Sequence, residues 1–261
     1  MDFQIKGKVA LVTGAGGGLG SAIASSIGRE GVKVVVADID QEAAERVGEL
    51  IRTNGGEALV LKWDLSDHAC TQDRLRSIRA EFGDIDILVN NTGGPPPTPA
   101  LGVAAEDWNR YFQSMVTSVI QLTNLVLPGM CERGWGRVIT STSSGVVAPI
   151  PNLAISNALR LSLVGWSKTL ATEVASRGVT VNVILPGRIA TKRIEQLDEA
   201  RAEREQRTVE EVVRASTQSI PAGRYGRPHE YGDTVAFLAS EAASYITGSV
   251  IRVDGGLIAS I

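Results

Sequence analysis

A single three-layer α/β domain on a doubly wound parallel sheet is the fold class this sequence predicts, and three observations predict it. Lys8 to Ala24 (KVALVTGAGGGLGSAIA) reads as an apolar strand, a turn holding Gly14, Gly16, Gly17, Gly18 and Gly20, and a helix with Leu19, Ile23 and Ile27 at helical spacing. A second apolar run, Val32 to Ala37, ends in Asp38, about 20 residues past the glycines. Beyond it, strand-like and helix-like segments alternate, the rhythm of a parallel sheet with crossover helices.

The glycine turn carries the first functional expectation. Bare backbone N–H groups at a helix N-terminus favour an anion, and the absence of Cβ atoms lets a pyrophosphate come close. A tight connection alone would use the same glycines, but strand, turn, helix, strand and acid together narrow the reading to a dinucleotide site. Asp38 stands where a carboxylate accepts from the adenosine ribose hydroxyls. With Ala37, Ile39 and Asp40 beside it and no arginine there to receive a 2′-phosphate, NAD is expected over NADP.

Composition bounds the rest. The 261 residues are 43% hydrophobic and 21% charged, which suits one domain over residues 1–261 with a sizeable core. A net charge of −3 argues against nucleic acid or an anionic membrane surface as partner. The N-terminal MDFQIKGK has no apolar segment of secretory length, and no run approaches the roughly 20 apolar residues of a membrane span. A soluble, cytoplasmic protein acting on a small molecule is the expectation. Cys70 and Cys131 are isolated thiols without CxxC spacing or clustered histidines, so neither a disulfide nor a metal site is expected. His68 and His229 lie in polar, loop-like settings and are not expected to act as acid or base.

In chain order, Gln41 to Thr53 is an amphipathic covering helix closed by Asn54, Gly55 and Gly56. Ala58 to Trp63 is a strand ending in Asp64, and Asp67 opens a helix that Gly83 ends. Ile85 to Val89 is a fourth strand, followed by Asn90, Asn91, Thr92 and Gly93. The stiff PPPTPA from Pro95 reads either as a wall of the cleft mouth or as a rigid surface loop. Glu106 to Cys131 has the length and spacing of one long helix disturbed in its last turn by Pro128. Arg137 to Ser141 is a fifth strand leading into the hydroxyls Thr140 to Ser144, placed where open α/β sheets bind ligands, although a Ser/Thr-rich turn has the same composition. Asn152 to Ser176 is a second long helix and Val179 to Leu185 a sixth strand. Residues 188–227 are densely charged with both signs and read as a solvated helix face and a mobile lid. A helix near Tyr231 to Ser240 and a strand from Ser249 to Val253 complete the sheet, and the apolar tail DGGLIASI is expected to be covered by another subunit.

With these motifs in place, the chain resembles the short-chain dehydrogenase/reductases from about Lys6 to its C-terminus. TGAGGGLG (Thr13 to Gly20) fits the family's TGxxxGxG and NNTG (Asn90 to Gly93) its NNAG, with Thr92 in place of alanine. Asp64 fits its adenine-facing acid, NVILPGRIAT (Asn182 to Thr191) its nicotinamide-cradling segment, and ITGSVIRVDGG (Ile246 to Gly256) its C-terminal signature. The likeness is greatest to the 3-oxoacyl-carrier-protein reductase branch. It implies a Rossmann fold and a cofactor set of Gly14, Gly18, Leu19 and Gly20 in the turn. Asp38, Asp64 and Leu65 are implied at the adenosine, and Asn91, Thr92 and Gly93 after the fourth strand. Arg160, Pro186, Gly187, Ile189 and Thr191 are implied at the ribose and nicotinamide.

The family's chemistry uses Asn, Ser, Tyr and Lys: Tyr protonates the carbonyl oxygen, Lys lowers the Tyr pKa and holds the ribose, Ser bonds the substrate oxygen and Asn positions a water. Counting from Arg137, the serine position falls on Ser143. Counting back from Leu170 to Glu173 (LATE, the family's LAxE), the tyrosine position falls on Ser156 and the lysine on Arg160, while the asparagine position reads Met115. No tyrosine lies between Tyr111 and Tyr225, so no shift of register restores the phenol. Ser143, Ser156 and Arg160 are therefore the catalytic candidates. A serine hydroxyl is shorter and far less acidic than a phenol, and Arg160 cannot shuttle a proton. Two readings follow: a divergent NAD-dependent oxidoreductase, or a non-catalytic NAD-binding sensor or scaffold. A lyase or isomerase step using Ser143 or Asn157 is a third possibility. The resemblance also implies a homo-oligomer, a tetramer built by pairing the two long helices.

Overall fold

The computed structural model describes residues 2–261. The elements run β1 (Val9–Thr13), α1 (Gly18–Arg29), β2 (Lys33–Asp38), α2 (Gln41–Thr53), β3 (Glu57–Lys62), α3 (Thr71–Glu81), β4 (Ile87–Asn90), α4 (Ala105–Phe112), α5 (Ser118–Glu132) and β5 (Gly136–Ser141). They continue as α6 (Ala154–Val174), β6 (Val179–Pro186), α7 (Lys192–Glu205), α8 (Val209–Gln218), α9 (Pro228–Leu238) and β7 (Val250–Val253). The strands form one sheet in the order β3-β2-β1-β4-β5-β6-β7, parallel at every pairing. This is the doubly wound class the sequence predicts.

Strand sequences follow from that placement. Both faces of a parallel sheet are covered, so VALVT in β1 and ILVN in β4 are buried throughout instead of alternating. Ile23 and Ile27 of α1, Val47 and Ile51 of α2 and Val235 of α9 pack on one face. Ile78 of α3, Leu122, Val126 and Met130 of α5 and Leu170 and Val174 of α6 pack on the other. The chain winds outward from β1 through β2 to β3, then crosses to β4 on the other side of β1. A crevice opens at that reversal, outside the carboxyl ends of the strands.

Several expectations are refined. The long helix expected from Glu106 to Cys131 is α4, a π-helical turn at Gln113–Thr117 and α5. Pro128 lies inside α5 and does not end it. The continuous helical run Ala105–Glu132 contains an 18-residue window of mean hydropathy 1.3, long and apolar enough to cross a membrane by length and composition, although it holds no unbroken apolar run that approaches a span. Its most apolar stretch is interrupted by Ser, Thr, Gln and Asn but not by a charge, so averaging detects what a count of consecutive apolar residues misses. One side of it, through Val119, Leu122 and Met130, is buried in the core. Residues 188–227 hold two helices, α7 and α8. Leu257 and Ile258 of the C-terminal tail line the cleft, with the Ile258 N–H donating to Asp254 Oδ2 at 3.0 Å.

Candidate active site

At the nucleotide end of the crevice, the turn between β1 and α1 is shaped by close backbone approach. Gly14 has φ +56°, and a Cβ there would stand 2.7 Å from the Asn91 carbonyl oxygen. A Cβ on Gly20 would stand 2.0 Å from the Gly14 carbonyl oxygen. Gly17 faces the other way: nothing lies within 4 Å of its Cβ position, and Gly18 meets only the Thr191 side chain at 3.8 Å. No side chain caps α1, and its first turn holds no acidic residue. The result is an open, bare-backbone helix N-terminus of the kind that receives phosphate. Gly14, Gly18 and Leu19 line the cleft as the sequence predicts, whereas Gly20 is spent on packing the helix against the turn.

Asn91 staples this turn to β4. Its side-chain amide donates to the Gly14 carbonyl at 3.0 Å, and its backbone N–H donates to Thr13 Oγ1 at 3.0 Å. Asp38 is also engaged by backbone: Oδ2 accepts from the Gly16 N–H at 2.7 Å and Oδ1 from the Asp40 N–H at 3.0 Å. Asp64 holds Ser66 through Oδ1 and leaves Oδ2 without a partner among the described residues. Asp38, Asp64, Leu65, Asn91, Thr92 and Gly93 all face the same cleft, of about 1180 Å³.

The substrate end is built from the other half of the sheet. Pro186, Gly187, Ile189 and Thr191 line it after β6, and Ser143 lines it after β5. Ser143 Oγ accepts from the Gly145 N–H at 3.1 Å and caps a short 3₁₀ turn. Ser156 is buried, faces the cleft and makes no side-chain hydrogen bond among the described residues. One helical turn on, Arg160 is also buried; it donates from Nη2 to the Thr92 and Gly93 carbonyls, both at 3.1 Å, and from Nη1 to the Ser141 carbonyl at 3.3 Å. Burial, with a smaller contribution from the neighbouring Arg193 charge, brings its pKa down to about 10. Tyr231 comes near from α9, but its hydroxyl is sealed against Ser141 Oγ at 2.8 Å, and burial pushes its pKa up.

Tyr111, Ser114, Met115, Arg188 and Arg193 also line the cleft, and sequence reasoning left Tyr111, Ser114, Arg188 and Arg193 out of the site. The π-helical turn is what presents Ser114 and Met115, since its extra residue rotates that face; no sequence signal marks it. Arg193 was hidden in the charged stretch read as solvated. Asn157 is withdrawn as a chemical candidate, because its side chain clamps Ile150, donating to the carbonyl at 2.9 Å and accepting from the N–H at 3.4 Å.

A crevice at the switch point of a parallel sheet, with an open glycine turn beneath it, defines a dinucleotide-binding α/β protein. Comparison with known proteins narrows the class. Residues 14–258 match the family model described as enoyl-(acyl carrier protein) reductase. The 3-oxoacyl-[acyl-carrier-protein] reductase FabG of Escherichia coli (strain K12) is 39% identical over 260 residues, covering 98% of this chain and 99% of that protein. Nodulation protein G of Azospirillum brasilense is 36% identical over 252 residues, covering 96% and 98%. Among solved structures, L-sorbose reductase from Gluconobacter frateurii complexed with NADPH and L-sorbose superposes with a TM-score of 0.93 at 31% identity, with full coverage of both chains. The NADPH-dependent reductase YwfH gives 0.91 at 30%, covering 97% and 99%. The chain belongs to the short-chain dehydrogenase/reductase family and is an NAD(P)-dependent oxidoreductase of that family.

The expectation of NAD over NADP is overturned. Solved structures similar to this chain are described with NADPH or NADP, the actinorhodin polyketide ketoreductase and a putative NAD(P)-dependent gluconate 5-dehydrogenase among them. The inference from Asp38 took its carboxylate as free to select the ribose. In the structure both of its oxygens already accept backbone N–H groups, which spread its charge and fix it as part of the turn.

Proposed function

We propose that this chain transfers hydride between NADP(H) and a small carbonyl or alcohol substrate, with Ser143 and Arg160 in the roles nearest the chemistry. The observation that carries this reading is one continuous cleft joining the open turn at Gly17 and Gly18 to Ser143, Ser156 and Arg160. The bare glycine face fits a pyrophosphate, as an open helix N-terminus should. Gly14, Gly18 and Leu19 would hold the pyrophosphate, Asp64 and Leu65 the adenine side, and Thr92, Gly93, Pro186, Gly187, Ile189 and Thr191 the nicotinamide half. The bound cofactor supplies the hydride. Ser143 orients the carbonyl oxygen, and the buried Arg160 positive charge favours an oxygen that gains negative charge.

The site departs from the family's set: Ser156 and Arg160 stand at the Tyr and Lys positions and Met115 at the Asn position. With no phenol on α6, the proton comes from water or through Ser156, at a cost of about 10²- to 10⁴-fold in rate relative to a positioned acid. A second reading is favoured by one observation. Arg160 uses its Nη groups on the Thr92, Gly93 and Ser141 carbonyls, which makes it a tie between the cleft walls and suits a nucleotide-binding protein without turnover. Residues 188–227 act as the lid, and pairing of α5 and α6, which expose Leu125 and Leu161, gives the homotetramer.

The test is NADPH binding by calorimetry, followed by a ketone and alcohol panel with wild type, Ser143→Ala and Ser156→Tyr combined with Arg160→Lys. Turnover that Ser143→Ala abolishes and the double substitution raises supports the oxidoreductase. NADPH binding with no turnover in any variant supports the non-catalytic reading.

A further inference from the structure

Charge in the cleft is unevenly distributed. Its acids are Asp38 and Asp64 at the nucleotide end and Glu205 on α7, and Glu205 is taken by Arg201 and Arg207. Among its cations, Arg188 is paired with the buried Asp198, and Arg201 and Arg204 with Glu205. Among the described residues the exposed Lys192 makes no salt bridge, and neither do Arg160 and Arg193. The two arginines face each other across Gly94, where a Cβ would lie 3.6 Å from Arg160 Nη2 and 3.8 Å from Arg193 Nη2. Arg193 has one hydrogen bond, from Nη2 to the Pro95 carbonyl at 2.6 Å, which leaves most of its donors uncommitted. Burial disfavours both charges and lowers the pKa of each, and at Arg160 the nearby Arg193 charge adds to that effect.

We infer that the substrate of this site is an oxo acid, whose carboxylate docks on Arg193 beside Gly94 while its carbonyl lies toward Ser143. A buried and a half-buried guanidinium without a carboxylate are compensated when an anion arrives, and a planar fork suits a carboxylate in particular. Gly94 keeps the space between them open, and Arg160 contributes charge from behind. The inference rests on the oxidoreductase reading for the carbonyl but not for the anion, so the two are separable.

The experiment compares acetoacetate and levulinate with their methyl esters, which keep the carbonyl and remove the charge. Ligand-induced rises in Tm are read with and without NADPH, alongside NADPH oxidation, on wild type, Arg193→Gln and Arg193→Lys. At least one acid is expected to bind at least about 10-fold tighter than its ester, from the worth of a charge-assisted hydrogen bond. Arg193→Gln should abolish the preference and leave NADPH affinity unchanged, with Arg193→Lys partly retaining it. Esters that bind as well as the acids, or no binding of either class, overturn the inference. Weakened NADPH binding in Arg193→Gln equal to the loss of acid binding also overturns it, because Arg193 then serves the cofactor. Acid binding without NADPH oxidation upholds the anion site and sinks the oxidoreductase reading. If Arg193→Gln fails to fold, the acid-to-ester ratio in wild type still decides.

Discussion

The two ends of the cleft are built by different means. The nucleotide end is made of backbone: Gly14 and Gly20 close the turn, Gly17 opens it, and the Asn91 and Asp38 side chains spend their hydrogen bonds on main-chain groups. The substrate end is made of side chains on loops and helices, with Ser143, Ser156, Arg160 and Arg193 converging from the end of β5, α6 and α7. Backbone geometry demands particular residue types at fixed spacing, whereas a side-chain pocket can be assembled from many sequences. The first end is therefore constrained by the fold and the second by the ligand.

The largest effect expected from this contrast is at Gly20. A methyl group there would meet the Gly14 carbonyl oxygen at 2.0 Å and its carbon at 2.8 Å, and backbone cannot yield as a flexible side chain does. Gly20→Ala should cost about 1–3 kcal/mol or more, lowering Tm by roughly 2–4 °C per kcal/mol, and should abolish NADPH binding. Gly17→Ala is its control. Gly17 has extended backbone at φ −171° and open space, so thermal unfolding should be nearly unchanged while calorimetry shows weaker NADPH binding. Equal Tm losses in both would erase the distinction between closing and opening glycines.

The same contrast explains what was legible. Strand, glycine turn, helix and acid fixed the sheet and the nucleotide end, because apolar strands buried on both faces and a crowded turn leave few alternatives. Gly20 and Gly17 look alike as letters, and only the approach of Gly14 separates them. Asp38 misled because its role depends on the hydrogen bonds its oxygens already make. At the substrate end, the positions of Ser143, Ser156 and Arg160 came from counting along regular elements. Arg193 did not, since its meaning lies in its nearness to Gly94 and Arg160, far away in sequence.

A smaller effect, confined to the substrate end, is expected at Asn157. Its amide clamps both polar groups of Ile150, holding the loop that carries Ala148, Pro149 and Ile150 along the cleft. Asn157→Ala leaves the Ile150 N–H without its partner and the carbonyl with the Leu153 N–H at 3.2 Å, at about 1 kcal/mol. Tm should fall and the KM for substrate rise, with NADPH affinity unchanged. A matching loss of NADPH affinity would show that the two ends are not independently built.

The smallest effect is where the stretch 188–227 joins α9. Glu230 accepts from Arg224 at 2.7 and 2.9 Å and from the Arg227 N–H at 2.6 Å. The Arg224 hydrogen bonds, with the Arg227 N–H behind them, hold the Glu230 carboxyl down to about 2. A carboxyl whose folded pKa lies below its unfolded value near 4.5 stabilises the fold fully above about pH 4.5 and loses that contribution as pH falls toward 2. The pair is solvent-exposed and screened, so Glu230→Gln should lower Tm only slightly at pH 7 and low salt, and less at high salt. At pH 2.5 the gap between variant and wild type should narrow as the wild-type carboxylate begins to titrate. NADPH affinity at pH 7 should match wild type, because Glu230 does not line the cleft. A Glu230→Gln deficit that is as large at pH 2.5 as at pH 7 would mean that the carboxyl serves by shape alone, not by charge.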